Sequence, residues 1–231
     1  MALAETAVII LAGGKGSRMQ ASAPKQFLQI KGKPLMCYAI ETFAATLPES
    51  PIYLVLPEDG VLYFEEKVFP FLSASIKPQV KTVIGGSSRF ESVQQGLAAV
   101  NPNTKWVSIH DAARPFLSKN LILKGLKLAQ KYDGAVPTLP LSDSIMEKKQ
   151  QLWEHQNRTN FRLIQTPQNF SFGKIHTAYS RPFQEKFTDC ASVFADAGFS
   201  FEVFPGEKQN FKVTTPFDLA LARFWSQNIE G

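Results

Sequence analysis

Ala7-Val8-Ile9-Ile10-Leu11 runs without a polar residue straight into Ala12-Gly13-Gly14-Lys15-Gly16-Ser17-Arg18-Met19. A short apolar run of this kind reads as a strand covered on both faces. It delivers three glycines and two cations to the strand's carboxyl end, where α/β sheets bind their ligands. Glycine lets the backbone approach a phosphate or a flat base and offer its N–H groups, and Lys15 and Arg18 bring the positive charge a polyphosphate needs. Anion binding is the reading that follows.

Outward from this junction the pattern repeats. Residues 52–57, 80–84, 106–110 and 134–137 read as further strands, and residues 34–45, 60–71, 90–100 and 118–132 as helices that each start near Pro, Gly or Ser. Alternation of this kind specifies an α/β fold with a mainly parallel sheet. Between 138 and 170 the sequence turns polar and β-prone without a helical period, too long a stretch for a passive loop, so an arm is expected there. Helices return at 172–179 and 189–197, a strand at 201–204, and a closing helix at 215–227 carries Pro216 in its first turn. No repeat, linker or low-complexity segment divides the chain, and one domain over residues 1–231 is expected.

Composition narrows the function classes. With 231 residues, 44% hydrophobic and 19% charged, the chain has the makeup of a folded globular protein rather than a disordered one. The net charge of +5 is spread thinly, its longest basic run being Lys148-Lys149, so cations converging on a small polyanion fit better than nucleic acid. Cys37 and Cys190 form no CxxC pattern and read as buried thiols in a reducing, cytoplasmic setting. Residues 1–11 lack a basic n-region and run directly into the glycine loop, so neither a leader nor a membrane span is expected.

Familiar chemistries can be tested and set aside. Gly14-x-Gly16-x-x ends on Met19, and Pro24 stands where a dinucleotide fold needs helix, so the Rossmann fingerprint fails. The Walker loop fails at Gly32-Lys33-Pro34. His110, His155 and His176 lack ligand spacing, and Ser17 and Ser92 lack a nucleophile-elbow context. His110 instead reads as a structural residue at a strand end. Lys25, just after Pro24, lies close to Arg18, and two such cations tolerate one another best with an anion between them. Asp111, at a strand's carboxyl end, faces the ligand crevice or caps the following turn, and Arg114 can pair with it.

Five segments in order, LAGGKGSRM with PKQF, GGSSRFESV at 85–93, HDAARPF at 110–116, QTPQNF at 165–170 and NFKVTTPFDL at 210–219, resemble the 2-C-methyl-D-erythritol 4-phosphate cytidylyltransferases nearly end to end. The resemblance implies a Rossmann-like nucleotidyltransferase domain, CTP and a sugar-alcohol phosphate as substrates, Mg²⁺ as cofactor carried mainly by the CTP phosphates, and a homodimer joined by the β-arm. It implies that Arg18 and Lys25 stabilise charge on the α-phosphate and that Lys212 is a third catalytic cation, binding phosphates. Ala12, Gly13, Gly14 and Gly16 would receive base and triphosphate, with Gly86, Ser87 and Ser92 selecting cytosine. Asp111 would lie near the ribose and the metal-bound phosphates, with Arg114, Ser144, Arg158 and Thr166 on the acceptor side. Catalysis by positioning and charge needs no protein nucleophile.

Two departures stand out. Cys190 occupies a position where the resembled family usually carries an acidic residue, and Gly13 replaces a common alanine, as in the related ribitol-5-phosphate cytidylyltransferases. The segments Glu91-Ser92-Val93 and Asp111-Ala112-Ala113-Arg114 favour the methylerythritol branch. A non-catalytic nucleotide sensor on the same fold would have lost its cations, whereas Arg18, Lys25 and Lys212 are all present.

Overall fold

A computed structural model describes residues 5–13 and 28–228. The opening apolar run is β1 (Thr6–Leu11), paired in parallel with β4 (Ile52–Leu56) on one side and β6 (Trp106–Asp111) on the other. Between β1 and β4 lie the short pair β2 (Gln29–Ile30) and β3 (Lys33–Pro34), then α1 (Leu35–Thr46). After β4 follow α2 (Glu58–Lys67), β5 (Val80–Ile84), parallel to β4, and α3 (Arg89–Ala99). The chain then returns to the far side of β1 as β6. Strand order therefore reverses at β1, and the reversal opens a crevice at the carboxyl ends of these strands.

Helix α4 (Lys119–Tyr132) leads to β7 (Gly134–Pro140). The sequence expectation of an arm at 138–170 resolves into two parts. A hairpin of β8 (Ile145–Lys149) and β9 (Leu152–Gln156) forms its own two-stranded sheet, whereas β10 (Arg162–Ile164) and β11 (Gln168–Ser171) return to the main sheet antiparallel to β7. Ile164 stands opposite Thr138 and Asn169 opposite Ala135, so five steps along one strand match three along the other. Gln165 still donates its N–H to the Pro137 carbonyl of β7 (2.8 Å), and the surplus falls between it and Asn169, at the sheet's ligand-facing end. Helices α5 (Phe172–Tyr179) and α6 (Cys190–Asp196), strand β12 (Glu202–Pro205), parallel to β7, and α7 (Pro216–Asn228) complete the fold.

The burial pattern accounts for the unbroken apolar run of β1. Ala7, Ile9 and Leu11 enter one core with residues of α3, α5 and α6, while Val8, Ile10 and Ala12 enter another with α1, α2 and α4. A period of two with both faces apolar is what a doubly covered strand requires. The helix expected at 60–71 begins instead at Glu58, because Pro57 presets the extended N-cap, and ends at Lys67, with a 3₁₀ turn over Phe69–Phe71. Among the described residues no helix is long and apolar enough to cross a membrane.

Candidate active site

Three strand ends build the site. Beyond β1, Ala12 donates its N–H to the Val55 carbonyl (2.8 Å), and Gly13 follows in the open. Beyond β5, residues 85–88 loop into α3, where Ser88 caps the helix by accepting the Glu91 N–H. Ser92 sits between the two strand ends: its Oγ donates to the Gly86 carbonyl (3.4 Å) and lies 3.6 Å from where a Gly13 Cβ would stand. A Cβ on Gly85 would lie 2.8 Å from the same oxygen and 3.0 Å from Val55 Cγ1. Glycine at 85 is thus demanded by packing. Of the residues expected to receive the nucleotide, Ala12, Gly13, Gly86 and Ser92 are brought together. Ser87 is beside them, but its N–H and hydroxyl both donate to the Glu91 carboxylate at 2.7 Å, and these bonds hold that carboxyl below its ordinary pKa. Gly14, Gly16, Arg18 and Lys25 lie outside the described residues.

At the end of β6, Asp111 is the focus of charge. Lys212 Nζ donates to its Oδ2 (2.7 Å), and Arg89 Nη2 lies 3.6 Å from its Oδ1. Burial alone would raise the Asp111 pKa, but Arg89 and Lys212 outweigh it and hold the carboxyl well below the usual range. The pairing with Arg114 foreseen from sequence is not made. Arg114 turns to the carbonyls of Asn210 (Nη1, 2.8 Å) and Ile164 (Nη2, 3.3 Å).

Lys212 reaches Asp111 across a hundred positions of sequence because its segment is docked by hydrogen bonds that mimic a sheet. The Gln165 amide donates to the Glu207 carbonyl (2.9 Å) and accepts the Glu207 N–H (3.1 Å), and a Cβ on Gly206 would stand 2.4 Å from Gln165 Oε1. Asn210 Nδ2 donates to the Thr166 carbonyl (2.7 Å), and the Val213 N–H to the Ala113 carbonyl (2.8 Å). Arg89, Gln165, Asn210 and Glu91 had no role assigned from sequence. Only Glu91 left a general signal there, Ser88-x-x-Glu91 being the pattern of a capping box.

Thr166, expected on the acceptor side, is buried, and its hydroxyl is committed. It accepts the Asp111 N–H (3.1 Å) and lies 3.0 Å from His110 Nδ1. With its one proton given to Nδ1, the imidazole keeps its own on Nε2, which donates to the Arg114 carbonyl (3.0 Å). Thr166 therefore braces the strand end that carries Asp111. Burial pushes the His110 pKa down from 6.5 to about 4, so the ring is neutral at pH 7. Because the folded value lies below the unfolded one, the stabilisation is complete above pH 6.5 and lost as pH falls towards 4. We expect wild-type protein to lose about 3 kcal/mol over that window through this group, and urea titrations at several pH values to show a flatter dependence for His110→Gln. Asp111 titrates below the window.

Ser144 and Arg158 are exposed at the base of the hairpin, where the Arg158 guanidinium donates to the Ser142 carbonyl. The contacts described for Arg158 stay on the arm and do not reach the Asp111 cluster. Cys37 and Cys190 are free, buried thiols.

A sequence model of the family described as 2-C-methyl-D-erythritol 4-phosphate cytidylyltransferase matches residues 6–228. The chain belongs to this family. A cytidylyltransferase of that description from Azobacteroides pseudotrichonymphae is 38% identical over 216 residues, covering 93% of this chain and 96% of the relative. One from Clostridium botulinum (strain Loch Maree / Type A3) is 36% identical over 223 residues, covering 95% and 96%. Among solved structures, the 4-diphosphocytidyl-2C-methyl-D-erythritol synthase of Anaerococcus prevotii superposes with a TM-score of 0.81 at 25% identity, covering 96% of each chain. The Thermus thermophilus cytidylyltransferase gives 0.75 at 28% identity, covering 96% of this chain and 98% of its own.

Proposed function

We propose that the chain transfers CMP from CTP to 2-C-methyl-D-erythritol 4-phosphate, releasing pyrophosphate. The observation that carries the reading is the convergence of Lys212 and Arg89 on the carboxylate of Asp111, beside a glycine-lined crevice at the sheet's reversal point. Such a site suits an anionic, transferring phosphoryl group. Gly13, Gly86 and Ser92 take the cytosine, with backbone groups that a uracil would mismatch. Arg18 and Lys25 add charge at the α-phosphate. The acceptor's phosphate oxygen attacks the α-phosphorus in line, and the bond to the bridging oxygen of the pyrophosphate breaks.

Mg²⁺ would enter as an ion carried mainly by the CTP phosphates. Asp111 is the ionised carboxylate at these strand ends that could join it, and the ion would supply neutralising charge to the triphosphate. Purified protein given CTP and Mg²⁺ should release pyrophosphate with methylerythritol 4-phosphate and not with ribitol 5-phosphate. The reverse pattern would reassign the acceptor, and CTP binding without any turnover would make the chain a sensor.

The arm joins two copies in this reading. Met146, Leu152, Trp153, Phe161, Leu163 and Ile164 leave large apolar surfaces exposed along the arm and the strand at its base. A chain lacking residues 143–158 should sediment as a monomer where the full chain is a dimer. Arg158, held at the arm's base, grips the acceptor phosphate of the neighbouring subunit, as a guanidinium suits a phosphomonoester. Arg158→Ala should raise the acceptor KM about 10- to 100-fold and leave CTP affinity unaltered, measured by initial rates and by calorimetry. A cytoplasmic setting suits this reading, since it would keep the free thiols of Cys37 and Cys190 reduced.

A further inference from the structure

Arg89 occupies a junction that the nucleotide and acceptor residues leave unexplained. It is the first residue of α3, directly after the 85–88 loop, and its two terminal nitrogens point to different elements. Nη2 faces Asp111 Oδ1 of β6 at 3.6 Å, and Nη1 donates to Cys190 Sγ at the start of α6 (3.4 Å). The first contact is too long for a hydrogen bond and acts through charge. Asp111 is thereby held at both oxygens, Lys212 on Oδ2 and Arg89 on Oδ1.

The Cys190 side of the junction is electrically silent. Cys190 is fully buried, and that burial raises the thiol's pKa, so the guanidinium meets a neutral sulfur. Among the described residues Asp111 is the carboxylate in ion-pair range of Arg89. An acid at position 190 would divide the attraction between two elements. Cysteine leaves it directed to Asp111, while the sulfur contact still fixes where the guanidinium lies.

We infer that Arg89 is a positioning residue that ties the 85–88 loop to Asp111, so that the base-binding loop and the carboxylate at the end of β6 are set as one unit. The inference rests on Asp111 belonging to the nucleotide side of the site. Arg89 acts through Asp111, and its loss is felt in CTP binding before any chemistry. A guanidinium serving only the fold would affect melting and leave the two substrates equally well bound.

A double-mutant cycle read by calorimetric titration of CTP with Mg²⁺ tests this, with the acceptor KM and thermal melts measured on the same proteins. Arg89→Gln should weaken CTP about 10- to 100-fold, the range for residues that orient a ligand-binding group, with the acceptor KM unchanged. Arg89→Lys should recover part of the loss. Asp111→Asn should weaken CTP as well, and the double variant should be no worse than Asp111→Asn alone. If Arg89→Gln binds CTP like wild type while Asp111→Asn does not, the inference falls and the reading of Asp111 stands. If Asp111→Asn is silent, that reading falls and the inference with it. Losses that multiply in the double variant overturn the coupling. Should Arg89→Gln fail to fold, the same cycle run with Arg89→Lys decides in the same way, additivity being the result that overturns.

Discussion

Replacing Lys212 with alanine is expected to lower kcat by about 10²- to 10³-fold, the scale on which enzymes lose rate when a preorganised charge at a reacting group is removed. Lys212 Nζ rests on Asp111 Oδ2 at 2.7 Å with its side chain 37% exposed, so it is fixed at one side and open to a ligand at the other. When a triphosphate enters, the amine can swing its remaining donors to phosphate oxygens without leaving the strand end. Lys212→Arg should retain part of the rate, since it keeps the charge and loses the compact geometry. Steady-state pyrophosphate release decides the matter. A loss confined to KM would mean that Lys212 binds ground and transition states alike.

Phe170→Ala is expected to cost about 3–5 kcal/mol of stability, the range for deleting a fully buried aromatic ring. Phe170 is completely buried in β11, opposite Val107 of β6 and Gly134 of β7, and its ring lies 4.8 Å from that of Phe194. The ring fills space that glycine keeps clear, because a Cβ on Gly134 would stand 3.1 Å from Phe170 Cδ1. β11 also continues from Thr166, the residue that braces Asp111, so the cavity should disturb the site as well as the core. Urea unfolding with and without CTP would show both effects. A cost near 1 kcal/mol would mean that α5 and α6 collapse onto the vacated space.

The parts of this molecule legible in the sequence are those set by local pattern. The doubly apolar run of β1, the strand–helix alternation and Pro216 in the first turn of α7 each announce themselves within a dozen residues. The breadth of the arm was less legible, because β10 and β11 carry polar and apolar residues in no clear period and owe their strand state to pairing with β7 and β6. For the site, the strand-end rule pointed to Asp111 and the glycines, and family resemblance to Lys212. Neither could show that Thr166 turns inward to His110, nor that Arg89 and Cys190 meet across 101 positions of sequence. Such contacts are products of tertiary packing and leave no spacing to read.

The segment 206–213 has a consequence for the life of the chain before it becomes an enzyme. Every strand of the main sheet precedes it, yet Lys212 meets Asp111, and Asn210 meets Arg114 and Thr166, only once it docks against residues made up to a hundred positions earlier. The strands of the main sheet can therefore pair before segment 206–213 docks. Contacts of such long sequence separation close late, so the charge cluster around Asp111 is completed after the sheet that carries it.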